Sequence, residues 1–186
     1  DLSLSILQQA FEDAKNWDQS LTISVNISPV QLLDPWLAQK IVKLLVETGY
    51  PPNRLEIEIT ESSLFENLSL AQSIVGSLKN QGIRIALDDF GTGYSSLAHL
   101  RALPFDRIKI DRSFVCGLGS SAEDEQLVRG VIALAQRLDI QTVAEGAETE
   151  EQLASLRDEG CNYIQGYLLG RPGSPEALEK LFDSAI

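Results

Sequence analysis

Asp88 and Asp89 are adjacent carboxylates at the end of an apolar run, Ile83-Arg84-Ile85-Ala86-Leu87. The stretch Phe90-Gly91-Thr92-Gly93-Tyr94-Ser95-Ser96-Leu97 follows them. Like charges that close repel each other, and burial penalises each of them. A bound cation removes both penalties. The glycines let the backbone turn sharply just past the acids. The pair therefore reads as a metal site, with residues 90–97 as a functional loop. The plainer reading of the pair by itself is a helix-capping loop.

Five further polar residues stand near the C-terminal ends of runs with strand character: Asn26, Glu58, Lys109, Glu145 and Gln165. Gathered in one mouth, they and the Asp pair supply four carboxylates, two amides and one amine. Oxygen ligands without His or Cys select hard cations, Mg²⁺ or Mn²⁺. The single histidine, His99, falls in the helix after the loop, which argues against zinc. The carboxylates suffice for two ions sharing Asp88, and a two-metal site suits in-line attack on a phosphodiester. Lys109 can hold the attacking water or a phosphate oxygen, and Glu145 can accept a proton or bind the second ion. Each residue also has a plainer reading. Glu58 alone fits a solvated strand face, Lys109 a neutralising charge inside a barrel, and Asn26 an ordinary turn residue. Tyr94, Tyr163 and Tyr167 could stack on a base, but read more simply as packing residues.

The elements that must position these groups alternate. Residues 3–16 carry a helical apolar stripe, Leu4, Leu7, Ala10, Phe11 and Ala14. Residues 21–28 read as a strand, and residues 34–48 as a helix with Asp34 as N-cap, Pro35 at its first position and Gly49 past its end. Residues 54–60, 83–89, 107–111, 140–145 and 163–168 read as further strands. Helices are expected over 66–81, 94–102 and 122–138, then from the capping box at Thr149 and Gln152, and after Ser174 and Pro175. Strand and helix alternating about six times with short connections predicts a parallel sheet with helical crossovers. An open sheet gathers its site at one switch point, whereas a barrel draws one residue from each strand end. The polar strand ends therefore favour an α/β fold of the TIM-like (β/α) barrel type. A barrel needs eight strands and about 250 residues, so this one is expected to be incomplete, with its first strands upstream.

The chain has 186 residues, 44% apolar and 23% charged, with a net charge of −12. That suits one domain with a real core. Such a surface repels nucleic-acid polymers, and it repels a small phosphate ester unless cations sit at the site. Cys116 and Cys161 make neither a disulfide framework nor a zinc pattern. Reduced thiols point to a cytoplasmic domain, and no apolar run is long enough to span a bilayer. The first residue is not Met, so the expectation is a piece of a longer protein.

The residues also resemble a known family. Val25-Asn26-Ile27-Ser28, Glu56-Ile57-Glu58-Ile59-Thr60-Glu61, the stretch from Asp88 to Leu97, Lys109-Ile110-Asp111-Arg112-Ser113-Phe114-Val115, Ala144-Glu145-Gly146-Ala147-Glu148-Thr149 and Gln165-Gly166-Tyr167 look like EAL domains. The resemblance runs over essentially the whole chain. It implies a barrel fold and Mg²⁺- or Mn²⁺-dependent hydrolysis of cyclic di-GMP to linear pGpG. It implies Asn26, Glu58, Asp88 and Asp89 as metal ligands and Lys109 as the residue positioning water. Glu145 would be ligand or base, and Gln165 would line the pocket. In the family, the loop after the Asp pair couples dimerisation to metal binding. Here that implies roles for Glu61, Phe90, Gly91, Thr92, Gly93, Tyr94, Ser95 and Glu148, with a homodimer as the working state. The strand bearing the family's Glu-Ala-Leu signature would lie before residue 1, taking one metal ligand and part of the phosphate clamp with it. The expectations that follow are weak or no activity for this chain alone and flanking sensory or cyclase domains in the parent. The rival reading is a non-catalytic cyclic di-GMP receptor or dimerisation module.

Overall fold

The computed structural model describes residues 2–92 and 97–178 of the chain. Six parallel strands pair in sequence order: β1 (Ile23–Ile27), β2 (Leu55–Thr60), β3 (Arg84–Phe90), β4 (Arg107–Ile110), β5 (Gln141–Glu145) and β6 (Tyr163–Gln165). The order never reverses. A doubly wound sheet has a reversal at its switch point, so this is the barrel-type arrangement, a half-barrel of six strands.

Successive side chains on a strand point to opposite faces. One face is apolar: Ile57, Ile59, Ile85, Leu87, Ile108, Ile110 and Ala144 are all buried. The helices pack there. Ala71, Ile74, Val75 and Leu78 come from α5 (Leu68–Asn80), and Val128, Ile132 and Ala135 from α8 (Ala122–Arg137). Ser24, Asn26, Glu56, Glu58, Arg84, Asp88, Arg107, Lys109, Glu145 and Gln165 alternate with that set, and so define the opposite, polar face. A parallel sheet covered on both faces by apolar layers reads as continuous apolar runs. The alternation seen here marks a sheet with one chemically active side.

The remaining helices are α1 (Leu2–Ala14), α2 (Pro29–Leu32), α3 (Leu37–Thr48), α4 (Glu61–Glu66), α6 (Leu97–Ala102), α7 (Arg112–Cys116) and α9 (Glu150–Asp158). Several boundaries differ from expectation, each for a local reason. The helix expected from residue 34 starts at Leu37, because Asp34 Oδ1 instead accepts from Trp36 N at 2.9 Å and holds a turn. Gly49 ends it in the left-handed region, φ 68°. The helix expected over 66–81 is α5, starting two residues later at Leu68, and the separate α4 before it was not foreseen. Asn67, at φ −157°, breaks the run and caps α5 by accepting from Leu70 N. The short α2 was not foreseen. It starts with a capping box between Ser28 and Gln31, with Pro29 at its first turn. The five-residue α7 is capped by Asp111, whose side chain accepts from Ser113 N. Both follow directly on strand ends, α2 on β1 and α7 on β4. The helix expected over 94–102 is described only as α6, since residues 93–96 lie outside the described residues. Strand six is shorter than expected, three residues rather than six.

Arg54 joins the first helix to the sheet. It is buried and donates to Leu21 O at 2.8 Å and to Ala14 O at 3.1 Å, the carbonyl that ends α1. Its guanidinium also lies 5.1 Å from the Tyr50 ring centre. No helix among the described residues is long and apolar enough to cross a membrane.

Ile57 has no exposed surface and sits mid-strand on the apolar face of β2. Ile57→Ala is expected to cost about 2–5 kcal/mol, read as a lower urea midpoint with an unchanged slope.

Candidate active site

Four strands converge on one nitrogen. Lys109 Nζ, on β4, lies 2.6 Å from Glu58 Oε2 of β2, 3.1 Å from Asp88 Oδ1 of β3 and 2.8 Å from Glu145 Oε1 of β5. Lys109, Glu58 and Asp88 are buried, and Glu145 is partly so. Glu58 is therefore no solvated-face residue, although alternation on β2 alone suggested one. The reason is tertiary: the Lys109 side chain reaches over the small Ala86 of β3 to meet it.

The charges do not balance, with one ammonium against three carboxylates. Burial disfavours the charged lysine, but hydrogen bonds to Glu145 and Glu58 outweigh it and hold the pKa well above lysine's ordinary value. Glu145 moves up. Burial pushes it there, Asp88 and Glu58 add repulsion, and its share of Lys109 does not cancel them. Asp89 is also raised, by burial first and then by Asp88 and Asp111.

Two consecutive acids cannot both face one side of a regular strand. Between Leu87 and Phe90 the register of β3 against β4 shifts. Asp89 adopts a left-handed backbone, φ 55°, and Gly91 follows at φ 99°. Asp89 N donates to Asp88 Oδ1 at 3.1 Å, and Thr92 Oγ1 donates to Asp89 O at 2.9 Å. The irregularity frees Asp89 from strict alternation, as bulges beside functional sites do. Non-glycine residues rarely adopt this backbone, so it is a local strain held by the surrounding structure.

Asn26, on β1, is level with Glu58, and Gln165, on β6, is level with Glu145. Both are exposed. Of the residues linked to the loop, Glu61 is buried at the first turn of α4, Phe90 is buried, and Gly91 and Thr92 form the turn after Asp89. Gly93, Tyr94 and Ser95 lie outside the described residues. Glu148 is elsewhere, pairing with Arg112 of α7 at 2.7 Å.

That pair borders a cavity of about 190 Å³ lined by Arg112, Glu145, Glu148, Gln165 and Tyr167 with Gly146 and Gly166. Both glycines are needed. Gly146 has φ 77°, and a β-carbon there would collide with the Arg112 side chain. One on Gly166 would collide with the Ala147 backbone. Ala147 N donates to Gln165 O at 3.1 Å, binding the β5–α9 loop to β6. Sequence reasoning missed Arg112 as a site residue. Its place three residues after Lys109, at a strand-to-helix turn, was the available signal.

A second polar tier lies on the same face towards the N-terminal ends. Ser24 Oγ donates to Glu56 Oε1 at 2.9 Å, and Arg107 Nη1 lies 2.9 Å from Glu56 Oε2, an ion pair that is not a linear hydrogen bond. Arg107 Nε donates to Gln141 Oε1 at 3.3 Å, and its guanidinium stacks 4.2 Å from the centre of the Tyr163 ring.

Among the described residues, no group of three or more His, Cys, Asp or Glu side chains is by itself arranged as a metal cage. The carboxylates instead converge on the lysine ammonium. The donor set is nonetheless all oxygen and already collected round one cationic centre, which fits a hard divalent cation.

Fold and site together define a TIM-like barrel domain with its chemistry at the C-terminal mouth of the strands. The chain belongs to the EAL domain family, whose model matches residues 1–172. It is 48% identical over 173 residues to an uncharacterized signaling protein of Caulobacter vibrioides, covering 93% of this chain and 21% of that protein. It is 38% identical over 189 residues to the cyclic di-GMP phosphodiesterase NbdA of Pseudomonas aeruginosa, covering 97% of this chain and 24% of that one. Curated relatives thus include cyclic di-GMP phosphodiesterases, and the chain spans about a fifth to a quarter of their length. The fold superposes on the PaMucR phosphodiesterase in its c-di-GMP complex with TM-score 0.91, 36% identity and coverage of 95% and 73% of the two chains. For Klebsiella pneumoniae BlrP1 in its manganese and cyclic di-GMP complex, the TM-score is 0.84, with 29% identity and coverage of 91% and 44%. A Glu-Ala-Leu tripeptide does occur here, at residues 176–178, but in a helical turn and not on a strand.

Replacing Lys109 by Met leaves buried carboxylates uncompensated. The expected cost is about 3–5 kcal/mol in metal-free protein, read by urea unfolding. Because the folded pKa of Lys109 is raised, its contribution is complete below the unfolded value of about 10.4 and is lost as pH rises through the folded value. The unfolding free energy of the wild type should therefore fall on alkaline titration above that point, and K109M should lack that component.

Proposed function

We propose that this domain hydrolyses one phosphodiester of cyclic di-GMP to linear pGpG with the help of Mg²⁺ or Mn²⁺. The observation that carries this reading is the convergence of Glu58, Asp88 and Glu145 on one cationic centre beside the Arg112 cavity. NbdA's activity and the cyclic di-GMP held by PaMucR and BlrP1 support the choice of substrate.

Asn26, Glu58, Asp88, Asp89 and Glu145 would hold the metal, as two ions. Bound there, the ions supply a water of lowered pKa and spread charge over the attacking and leaving oxygens. Lys109 holds the attacking water or a phosphate oxygen in line. Glu145 takes the proton of that water. The water oxygen bonds to phosphorus, the bond from phosphorus to the 3′ oxygen breaks, and that oxygen leaves with a proton from solvent, while Glu145 releases to solvent the one it took. Arg112, half-exposed, exchanges Glu148 for a phosphate oxygen, a pairing the planar guanidinium suits. Gln165 and Tyr167 line the same cavity and bear on the nucleotide.

The intact protein that carries this chain, incubated with cyclic di-GMP and Mn²⁺, is expected to release pGpG, and a chelator is expected to stop it. Asp88→Asn should lower turnover by about 100-fold or more, while Arg112→Ala should mainly raise KM. Undiminished pGpG formation by D88N would sink the assignment.

A further inference from the structure

Resting on the reading of this mouth as a cyclic dinucleotide site, we propose that the Tyr167 ring, held from one side by Arg171, is the platform on which one purine base of the substrate stacks. The cavity beside Arg112 holds about 190 Å³. Sites that enclose a drug-sized ligand take about 300–1,000 Å³. A cyclic dinucleotide therefore places a phosphate in the cavity and rests its bases on the rim. Among the described residues, Tyr167 is the aromatic side chain that lines this cavity. It stands just past the end of β6 and is about half exposed. The turn that carries it is pinned. Leu168 N donates to Ala147 O at 3.2 Å, and Leu169 N and Gly170 N both donate to Gly166 O, at 3.0 and 3.2 Å. The bond from Gly170 to Gly166 winds one helical turn. Residues four apart on such a turn are neighbours, and Arg171 accordingly lies over Tyr167, its guanidinium 4.6 Å from the ring centre.

Arg171 does not itself line the cavity, so the ring stands between the guanidinium and the cavity and turns a surface the cation does not cover inwards. Cation–π attraction on one face fixes the plane of the ring. The other face is left for a base, and a ring oriented in advance loses little freedom when the base arrives. Stacking of this kind accepts any base, because each has a π-face. The platform thus asks for the area of a purine and not for its hydrogen-bonding edge. Two other exposed aromatic rings fit the role less well. Trp36 precedes α3 and does not line the cavity. Tyr163 lies under Arg107, which is committed to Glu56 on the lower tier. Tyr167 is therefore a binding residue, and Arg171 is a positioning residue that acts through it.

The test uses Y167L, Y167F, R171A, R171K and Y167L/R171A in the intact protein, with folding checked by thermal melts. Two readouts are kept apart. One is steady-state turnover of cyclic di-GMP with Mn²⁺. The other is the fluorescence of a cyclic dinucleotide in which 2-aminopurine replaces one guanine, bound with a chelator present so that nothing is hydrolysed. Stacking on an aromatic ring quenches that fluorophore. Y167L should raise KM about tenfold or more while kcat falls less than about threefold, and it should lose most of the quench. Y167F, which keeps the ring, should stay within about twofold of wild type in KM and in quench. R171A should raise KM about two- to fivefold, and R171K, which keeps the cation, should recover much of that loss. In the Y167L background, R171A should add nothing, because its effect travels through the ring. A KM for Y167L within about twofold of wild type, no quench in the wild type, an undiminished quench in Y167L, or additive effects in the double variant overturns the proposal. A quench lost in Y167L but no pGpG from the wild type sinks the hydrolase reading and leaves the stack standing. Formation of pGpG with an indifferent Y167L does the reverse.

Discussion

One ammonium shared by three buried carboxylates is the constraint round which this half-barrel is arranged. Lys109 lies within 3.1 Å of acids from three other strands. Charges taken out of water are tolerated only when paired and oriented, so each strand end must arrive in register. The arrangement is deliberately short of positive charge. The neighbouring carboxylates hold the Lys109 pKa above its ordinary value, while burial first and the repulsion of Asp88 and Glu58 second raise that of Glu145. One ammonium against three carboxylates leaves the cluster with an excess of negative charge.

Everything outside the polar face serves to hold that imbalance in place. The apolar face supplies cohesion through isoleucines and leucines packed under α5 and α8. The polar face is tiered. Arg107 and Glu56 satisfy each other on the lower level, while Lys109 and its acids remain unbalanced above. Neutral below and charged above is a sensible order for a barrel, because the upper rim is where a ligand can enter. The short helices α2 and α7 are each started by a side-chain cap at a strand end, and α7 brings Arg112 to that rim.

The bulge at Asp88 and Asp89 shows how local strain is used. Regular pleating would send the two acids to opposite faces. The left-handed backbone of Asp89 breaks that rule, and Gly91 and Thr92 absorb the turn. Gly146 and Gly166 play a related part across the mouth. Their missing side chains leave room for Arg112 over the cavity and for the loop that ties β5 to β6.

Much of this was legible in the order of residues. Alternating strand runs, the capping box at Thr149, the glycine after α3 and the polar residue near each strand end all follow from local rules, and those rules sufficed for a parallel α/β barrel type with an oxygen-rich mouth. Local rules could not say that Glu56 and Glu58 are buried, since alternation looks the same on a solvated strand and on an inward-curving one. Nor could they assign partners. Which of two glutamates goes to Arg107 and which to Lys109 depends on strand register and on the small Ala86 between them. Arg112 and Glu148 are 36 residues apart and became neighbours only through the crossover that sets β5 beside β4. Residue types determined what chemistry was possible; long-range pairing decided which groups could share it, because Coulomb and hydrogen-bond energies depend on distances that only the assembled sheet sets.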